Sequence, residues 1–252
     1  MLFKFILMAV FCYNKIDMST SKNFNGKERN VSTILILSPI VLVALASVAI
    51  ILALKSRDKK NETQKRIMQS GDRGELKVQQ VLSNLENPKS RYRVYHNIKL
   101  GPDADHTNEY DTLVVGPNGI FHIETKNYGG ERGGIIDIDS NGNWILHKKS
   151  GYSKIITNPA GQLDSHEYRL QGFLRKVVGI RNLPTQGIVV LSCDNITLRN
   201  NQKDKNELTV LSRHELVGYI KNYRNGKKLL YPRTINKICK NIESMNHMAK
   251  AN

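Results

Sequence analysis

The chain has 252 residues, of which 40% are hydrophobic, so it can bury the core of one good-sized domain or of two small ones. Its net charge is +16, and residues 55–252 alone contain 33 basic and 20 acidic residues, an excess of +13. An excess of this size favours polyanionic partners, either nucleic acid or anionic lipid. The three cysteines share no short spacing, which excludes a disulfide framework and a zinc site and indicates a reducing compartment.

The N-terminal segment, residues 1–30, precedes a predicted transmembrane helix at residues 31–54. This stretch has no charged side chain, and its apolar run ILILSPIVLVALASVAIILAL has the length of roughly 20 residues that spans a bilayer. A cleaved signal peptide is the alternative, but about 30 residues precede the run, more than a usual charged leader. Either Met1 or Met18 could be the native start, since a polar segment opens at Met18.

The flanking charges predict the orientation of this helix. Seven basic residues lie in 55–74 against four in 11–30. The positive-inside rule therefore places the large C-terminal part in the cytoplasm. The sequence thus predicts a single-pass protein anchored in a lipid bilayer through residues 31–54.

The rest of the chain alternates helix and strand patterns after a basic linker at residues 55–67. Helices are predicted for 70–85, for 159–178, for the segment from the capping box at Ser212 to residue 223, and for about 233–248. Strands are predicted at 91–100, 135–138, 144–147, 187–192 and 208–211, together with a hairpin in between. This order predicts an α/β domain with a mixed sheet and helices on both faces.

The hairpin is the segment EYDTLVVGPNGIFHIETKNYGG, residues 109–130, in which Gly-Pro-Asn-Gly is strong turn chemistry. Asp111 and Glu124 lie symmetrically about the Pro117–Asn118 bond, so folding about this turn brings the two carboxylates close. A bulge at Gly119 would instead place Thr125 opposite Asp111. Lys126 shares the face of Glu124 in either register, because side chains alternate along a strand.

Two carboxylates this close repel each other unless a divalent cation lies between them. Carboxylate and water oxygens are the usual ligands of Mg²⁺, and phosphate oxygens complete the set. Lys126 could orient or deprotonate a water, or stabilise charge on a phosphate. Glu75 adds a third carboxylate beside the apolar stripe of its predicted helix. Each of these residues taken alone could be an ordinary surface charge, but the combination is typical of metal-assisted phosphodiester hydrolysis.

Several motifs together resemble the nuclease-related domain (NERD) family. They are Gly71-x-x-Gly74-Glu75, Glu109-x-Asp111, the string GPNGIFxIExKN that begins at Gly116, Asn158-Pro159-x-x-Gln162 and the strand GIVVLS. The resemblance implies a restriction-endonuclease-like fold of the PD-(D/E)xK class in residues 68–223, followed by a C-terminal helical extension at 224–252. It also implies that Asp111, Glu124 and Glu75 bind Mg²⁺ or Mn²⁺, and that Lys126, Glu75 and Gln162 are catalytic.

The leading hypothesis is therefore a membrane-anchored, divalent-metal-dependent nuclease that acts on DNA or RNA, with DNA favoured. The alternative is a non-catalytic nucleic-acid-binding or scaffold module that keeps the nuclease fold. Two histidines near the site are expected to have other roles: His166 as an exposed helix residue and His122 in packing. The glycine-rich YGGERGG, residues 128–134, is interpreted as a rim beside the site.

Overall fold

The computed structural model describes residues 28–86, 90–130, 132–200, 208–224 and 229–251, and within these ranges the side chains from residue 46 to residue 246. The chain divides into two units between Gln64 and Lys65.

Helix α1 runs without a break from Glu28 to Leu82. The helix that was predicted to begin near Ser70 therefore begins much earlier, and the predicted linker at 55–67 is part of it. The linker is rich in Lys, Arg, Gln and Glu, which have high helix propensity, and no proline lies between residues 55 and 82. Near the end of α1, Val78 and Leu82 are fully buried, as the apolar stripe predicts.

The transmembrane helix predicted at residues 31–54 is not supported by the described part of the chain, where no helix is long and apolar enough to cross a membrane. Residues 31–45 of this prediction lie outside the residues whose side chains are described. Residues 1–27, and with them the choice between Met1 and Met18, lie outside the described residues altogether.

The larger unit contains a five-stranded sheet. Its strands are β1 (Arg93–Leu100), β2 (Asn108–Gly116), β3 (Gly119–Lys126), β7 (Thr185–Leu191) and β9 (Val210–Ser212). They are arranged in the order β1-β2-β3-β7-β9. The first three are antiparallel, whereas β7 runs parallel to β3, and β9 parallel to β7. The predicted mixed sheet is thus confirmed.

Helices cover both faces of this sheet. On one face lie α2 (Ala160–Phe173), which continues through a π-helical turn at Leu174–Val178, and α4 (Pro232–Ala251). On the other face lie the end of α1 and the short helix α3 (Leu216–Asn222). Each face of the sheet forms one apolar cluster with the helices that cover it. The two clusters contain alternate residues of the central strands, because successive side chains of a strand point to opposite faces.

A second, four-stranded sheet was not predicted. It consists of β4 (Gly134–Ile138), β5 (Trp144–Lys148), β6 (Ser153–Ile156) and β8 (Ile196–Asn200) in the order β6-β5-β4-β8. Its core residues Ile136, Trp144 and Leu146 pack against β7. The chain leaves β3 through glycines with positive φ at 129, 130 and 133, which redirect it away from the first sheet. The sequence missed β6 and β8 because both are short and largely exposed.

The hairpin register decides which side chains meet at its open end. Strands β2 and β3 pair from Gly116↔Gly119 to Thr112↔Ile123 without an extra residue. The same register, continued by one residue, places Asp111 opposite Glu124, so the alternative with a bulge at Gly119 is not the one observed. The turn itself is held by Asn118, whose side-chain amide donates to two carbonyls at the end of α3.

Candidate active site

The centre of the site is a buried glutamate at the end of β3. Glu124 is 2% exposed, and its Oε1 accepts a hydrogen bond of 2.7 Å from the Lys126 ammonium. The same ammonium donates to Gln162 Oε1, 3.0 Å away on the first turn of α2. The structure thus brings together three of the predicted site residues, and the two on β3 share a face as alternation requires.

Asp111 lies across the hairpin from this group. Its Oδ2 accepts a hydrogen bond of 2.8 Å from the backbone N–H of Thr125. The pairing of β1 with β2 passes over Asn97 and Asp111, and Asn97 has a left-handed φ of 49°. The pairing between β1 and β2 is therefore interrupted at Asp111, the residue that contributes its carboxylate to the site.

Helix α1 approaches the same strand end through Gly74. A Cβ at Gly74 would lie 2.6 Å from Ser192 Oγ and 3.0 Å from Asn127 Cβ, so glycine is required for this approach. The side-chain amide of Asn127 then donates to the carbonyl and the hydroxyl of Ser70, at 2.7 and 3.0 Å. These contacts fix α1 against the end of β3 and carry Glu75, the residue after Gly74, to the site.

The charges at the site are unbalanced. Burial first, and then the neighbouring carboxylates with Asp111 as the largest contributor, together raise the pKa of Glu75 from its ordinary 4.5 to about 6. Burial likewise raises the pKa of Asp111 and of Glu124, and the Lys126 ammonium offsets only part of this effect. Three carboxylates therefore approach one another around a single ammonium, an arrangement that favours the uptake of a cation.

His166 corrects a prediction, because it is buried rather than exposed. Its Nδ1 lies 3.8 Å from Glu124 Oε2, and neither atom has a hydrogen-bond partner among the described residues. Burial, helped by His122 and Lys126, lowers the pKa of His166 to about 4. The imidazole is therefore neutral near pH 7, so it forms no ion pair with Glu124. The helical stripe of α2 places position 166 inward, between Leu163 and Leu170.

His122 belongs to a network that the sequence did not reveal. It is 1% exposed, and its Nε2 lies 3.0 Å from Glu167 Oε2. The other carboxylate oxygen of Glu167 accepts from Thr185 Oγ1 at 2.6 Å and from Gln171 Nε2 at 2.9 Å. The signal for Glu167 was available, because it lies four residues after Leu163 and three before Leu170, on the stripe that faces the sheet.

The donors at the strand end fit a divalent cation in chemical type. Glu124 Oε2 is a buried carboxylate oxygen without a hydrogen bond, and Asp111 and Glu75 supply oxygens nearby. Among the described residues, however, no three His, Cys, Asp or Glu side chains are grouped closely enough to hold a metal ion. The carboxylates therefore approach a metal site without forming a complete one.

Comparison with known proteins identifies the class of domain. Residues 70–192 match the family model of the nuclease-related domain. The resemblance predicted from the motifs is therefore confirmed over these residues, which make up just under half of the chain. The restriction-endonuclease-like superfamily is consistent with that assignment.

One curated relative is an uncharacterized protein of Bacillus anthracis, which is 32% identical over 130 residues. The aligned stretch covers 50% of this chain and 55% of the relative, so the chain spans about half the length of the protein that it matches. No solved structure matches the chain significantly.

Proposed function

We propose that the NERD domain of this chain is a divalent-metal-dependent nuclease that hydrolyses phosphodiester bonds of nucleic acid. The observation that carries the proposal is the convergence of three carboxylates, Glu75, Asp111 and Glu124, on the strand end that holds Lys126. A structural role alone does not explain why a nearly buried glutamate keeps one oxygen unpaired next to two further carboxylates. DNA is the favoured substrate and RNA the second.

Asp111 and Glu124 would hold the metal, with Glu75 joining them from α1. When bound, Mg²⁺ or Mn²⁺ would polarise the phosphate and lower the pKa of a bound water. The protein's own contribution is to keep three carboxylates in place. The fixed hairpin register and the glycine contact of α1 supply this positioning.

Lys126 would stabilise negative charge on the scissile phosphate. An ammonium has three donors, and two of them are directed at Glu124 and Gln162. The third can reach a phosphate oxygen, while the other two hold the side chain in one orientation. Gln162 therefore acts as a positioning residue for Lys126.

A cleavage assay tests the proposal. The full-length protein should cut circular or linear DNA, or RNA, with Mg²⁺ or Mn²⁺ and not with chelator. Lys126→Ala should lower the rate by about 10³-fold, because an electrostatic group aimed at developing charge is lost. Lys240→Ala, which removes an exposed lysine of α4, is the matched control and should keep full activity. Equal rates for both variants on every substrate would contradict the proposal.

The second candidate is a nucleic-acid-binding module without turnover. It is favoured by the lack, in the described residues, of three side chains grouped to hold a metal. Isothermal titration with Mn²⁺ separates the two candidates. A nuclease should bind the ion with an affinity that Glu124→Gln abolishes, whereas a pure binding module should show no site-specific heat.

We also retain the proposal that residues 31–54 anchor the chain in a bilayer with the C-terminal domain in the cytoplasm. The support is the uncharged apolar sequence of this stretch and the asymmetry of its flanking charges. Extraction of membranes at high pH should leave the full-length chain in the membrane pellet. A reporter fused after Asn252 that is active only outside the cytoplasm would contradict the proposed orientation.

A further inference from the structure

A basic cleft lies beside the carboxylates, at the end of β3. It has a volume of about 530 Å³. Asn127, the residue after Lys126, is part of its wall, so the cleft adjoins the proposed active site. Six cationic side chains line it: Arg66, Arg73, Lys77, Arg132, Lys148 and Lys149.

One wall of the cleft is a single face of α1. Arg66, Ser70, Arg73 and Lys77 line the cleft at intervals of four, three and four residues, which is the spacing of one helical stripe. Lys77 also lies 3.7 Å from the carboxylate of Asp194. The hydrogen bonds between Asn127 and Ser70 fix this face against the sheet. The charges of this wall therefore have a defined position relative to Lys126.

The opposite wall belongs to the second sheet. Lys148 ends β5, and Lys149 and Ser150 follow in the turn to β6. This turn is closed by backbone hydrogen bonds from Lys148 to Tyr152 and from Gly151 to Lys148. Both lysine side chains are exposed, and neither has an ion pair among the described residues. They are therefore available to a ligand.

Glycine backbone contributes to the cleft between the two walls. Gly129, Gly130 and Gly133 line it, and all three have positive φ. At Gly133 a Cβ would lie 1.9 Å from the carbonyl oxygen of Asn195, so no other residue fits there. The thiol of Cys193 donates to the carbonyl of Gly130 and holds this glycine segment in place. A ligand can therefore come close to the main chain in this part of the cleft.

We propose that this cleft holds the sugar–phosphate backbone of a nucleic acid strand, without reading its sequence. Among the described lining residues there is no Asp or Glu, which suits a polyanion. There is also no aromatic residue to stack on a base and no apolar pocket to enclose one. Contacts to phosphate position a strand but carry no base information. This inference rests on the proposed function, because it places the strand beside the carboxylates.

Binding measurements on the full-length protein test the cleft. Fluorescent duplexes of two unrelated sequences are titrated in chelator, so that binding is measured without cleavage. The test variant is Lys148→Glu with Lys149→Glu. The matched control is Lys237→Glu with Lys240→Glu, which changes the charge equally on the exposed surface of α4.

The expected result is weaker binding for the cleft variant and unchanged binding for the control, equally for both sequences. Loss of two phosphate contacts should reduce the slope of log affinity against log salt by about 1.8. Over a fourfold rise in salt, the wild-type affinity should therefore fall about tenfold more than that of the variant. Lys148→Gln with Lys149→Gln should give the same change of slope. Agreement between the two variants shows that the effect does not come from a folding defect of the glutamate variant.

Three outcomes would overturn the inference. One is an equal loss in the control, which would mean that only bulk charge matters. The second is no loss in either cleft variant. The third is a cleft-dependent affinity for vesicles of anionic lipid that exceeds the affinity for the duplexes. Failure of the nuclease proposal is separate, since it appears as absent cleavage by a wild-type protein whose binding still depends on the cleft.

Discussion

Two glutamates of the domain, Glu167 and Glu124, differ in their hydrogen bonds and in the direction in which their pKa is shifted. Glu167 on α2 has donors on both oxygens, from His122, Thr185 and Gln171. Burial alone would raise its pKa, but these hydrogen bonds outweigh burial and hold the pKa below its ordinary value. Glu124 on β3 accepts a hydrogen bond from Lys126 on Oε1, whereas its Oε2 has no partner among the described residues. Burial together with Asp111 raises its pKa, and Lys126 and Gln162 offset only part of this effect.

The comparison shows how differently two carboxylates of the same fold can be hydrogen-bonded. Hydrogen bonds to both oxygens make the partly buried charge of Glu167 stabilising, whereas an oxygen without a hydrogen bond among like charges destabilises the fold. Proteins keep such a destabilising group where the unpaired oxygen has a function of its own. We therefore expect Glu167 to contribute to stability, and the contrast supports the proposed role of Glu124 in chemistry.

The largest effect should come from Glu124→Gln. We expect cleavage to fall by about 10³-fold or more, because the amide keeps the shape of the side chain but loses its charge. Stability in chelator should not fall, since the charge that is removed lies next to Asp111. Cleavage rate and urea unfolding are measured on the same preparations. Glu167→Gln is the control, and an equal loss of activity there would erase the distinction between the two glutamates.

The converse change, Glu167→Ala, should affect stability instead. It leaves His122, Thr185 and Gln171 without their common acceptor, which should lower the free energy of unfolding by about 2 kcal/mol. Glu167→Gln should cost less, because its carbonyl oxygen can still accept. Urea denaturation measures both. If Glu167→Ala left stability unchanged, the network would not be the structural element that its hydrogen bonds indicate.

Gly74→Ala tests the contact that brings the third carboxylate to the site. The added Cβ must displace Ser192 Oγ or Asn127, so we expect a loss of about 1–2 kcal/mol. Cleavage should fall by about tenfold or more, since Glu75 moves with the helix. Gly71→Ala is the matched control on the same helix, because nothing lies within 4 Å of its new Cβ. It should stabilise the protein by about 0.5–1 kcal/mol through helix propensity alone.

The sequence was sufficient for the features that depend on local spacing. The Gly-Pro-Asn-Gly turn and its two apolar strands determine the hairpin, and with it the approach of Asp111 and Glu124. Side-chain alternation also places Lys126 on the face of Glu124, to which its ammonium donates. These predictions succeeded because turn chemistry and side-chain alternation act within a few residues.

Other features depend on contacts between distant parts of the chain. The parallel pairing of β4 with β8 joins residues about sixty positions apart, and β8 has no apolar run that would predict a strand. The stripe of α2 places His166 inward, but its contacts with Tyr110 and Glu124 depend on two other strands, so no pattern within α2 specifies them. The donors of Glu167 likewise come from three elements. Tertiary contacts of this kind leave only a weak trace in a single sequence.

The smallest effect should be a change in the pH dependence of stability at Glu75. Its pKa is raised in the folded protein from 4.5 to about 6, so between these values the folded state binds more protons than the unfolded state. The free energy of unfolding therefore falls as the pH rises through this window, and the penalty is complete above about pH 6.

Glu75→Gln should remove this penalty. In chelator at about pH 7.5 the variant should be more stable than the wild type by about 0.5–1 kcal/mol, a value reduced for the solvent exposure of Glu75. Near pH 4.5 the difference should vanish, because the wild-type carboxyl is then protonated. Glu86→Gln, which removes one carboxylate at an exposed position beyond the same helix, is the control for the change in net charge. If Mg²⁺ then stabilises the wild type at about pH 7.5 but not Glu75→Gln, the repulsion at the site is the feature that a bound cation relieves. If Mg²⁺ stabilises both equally, Glu75 is not a ligand.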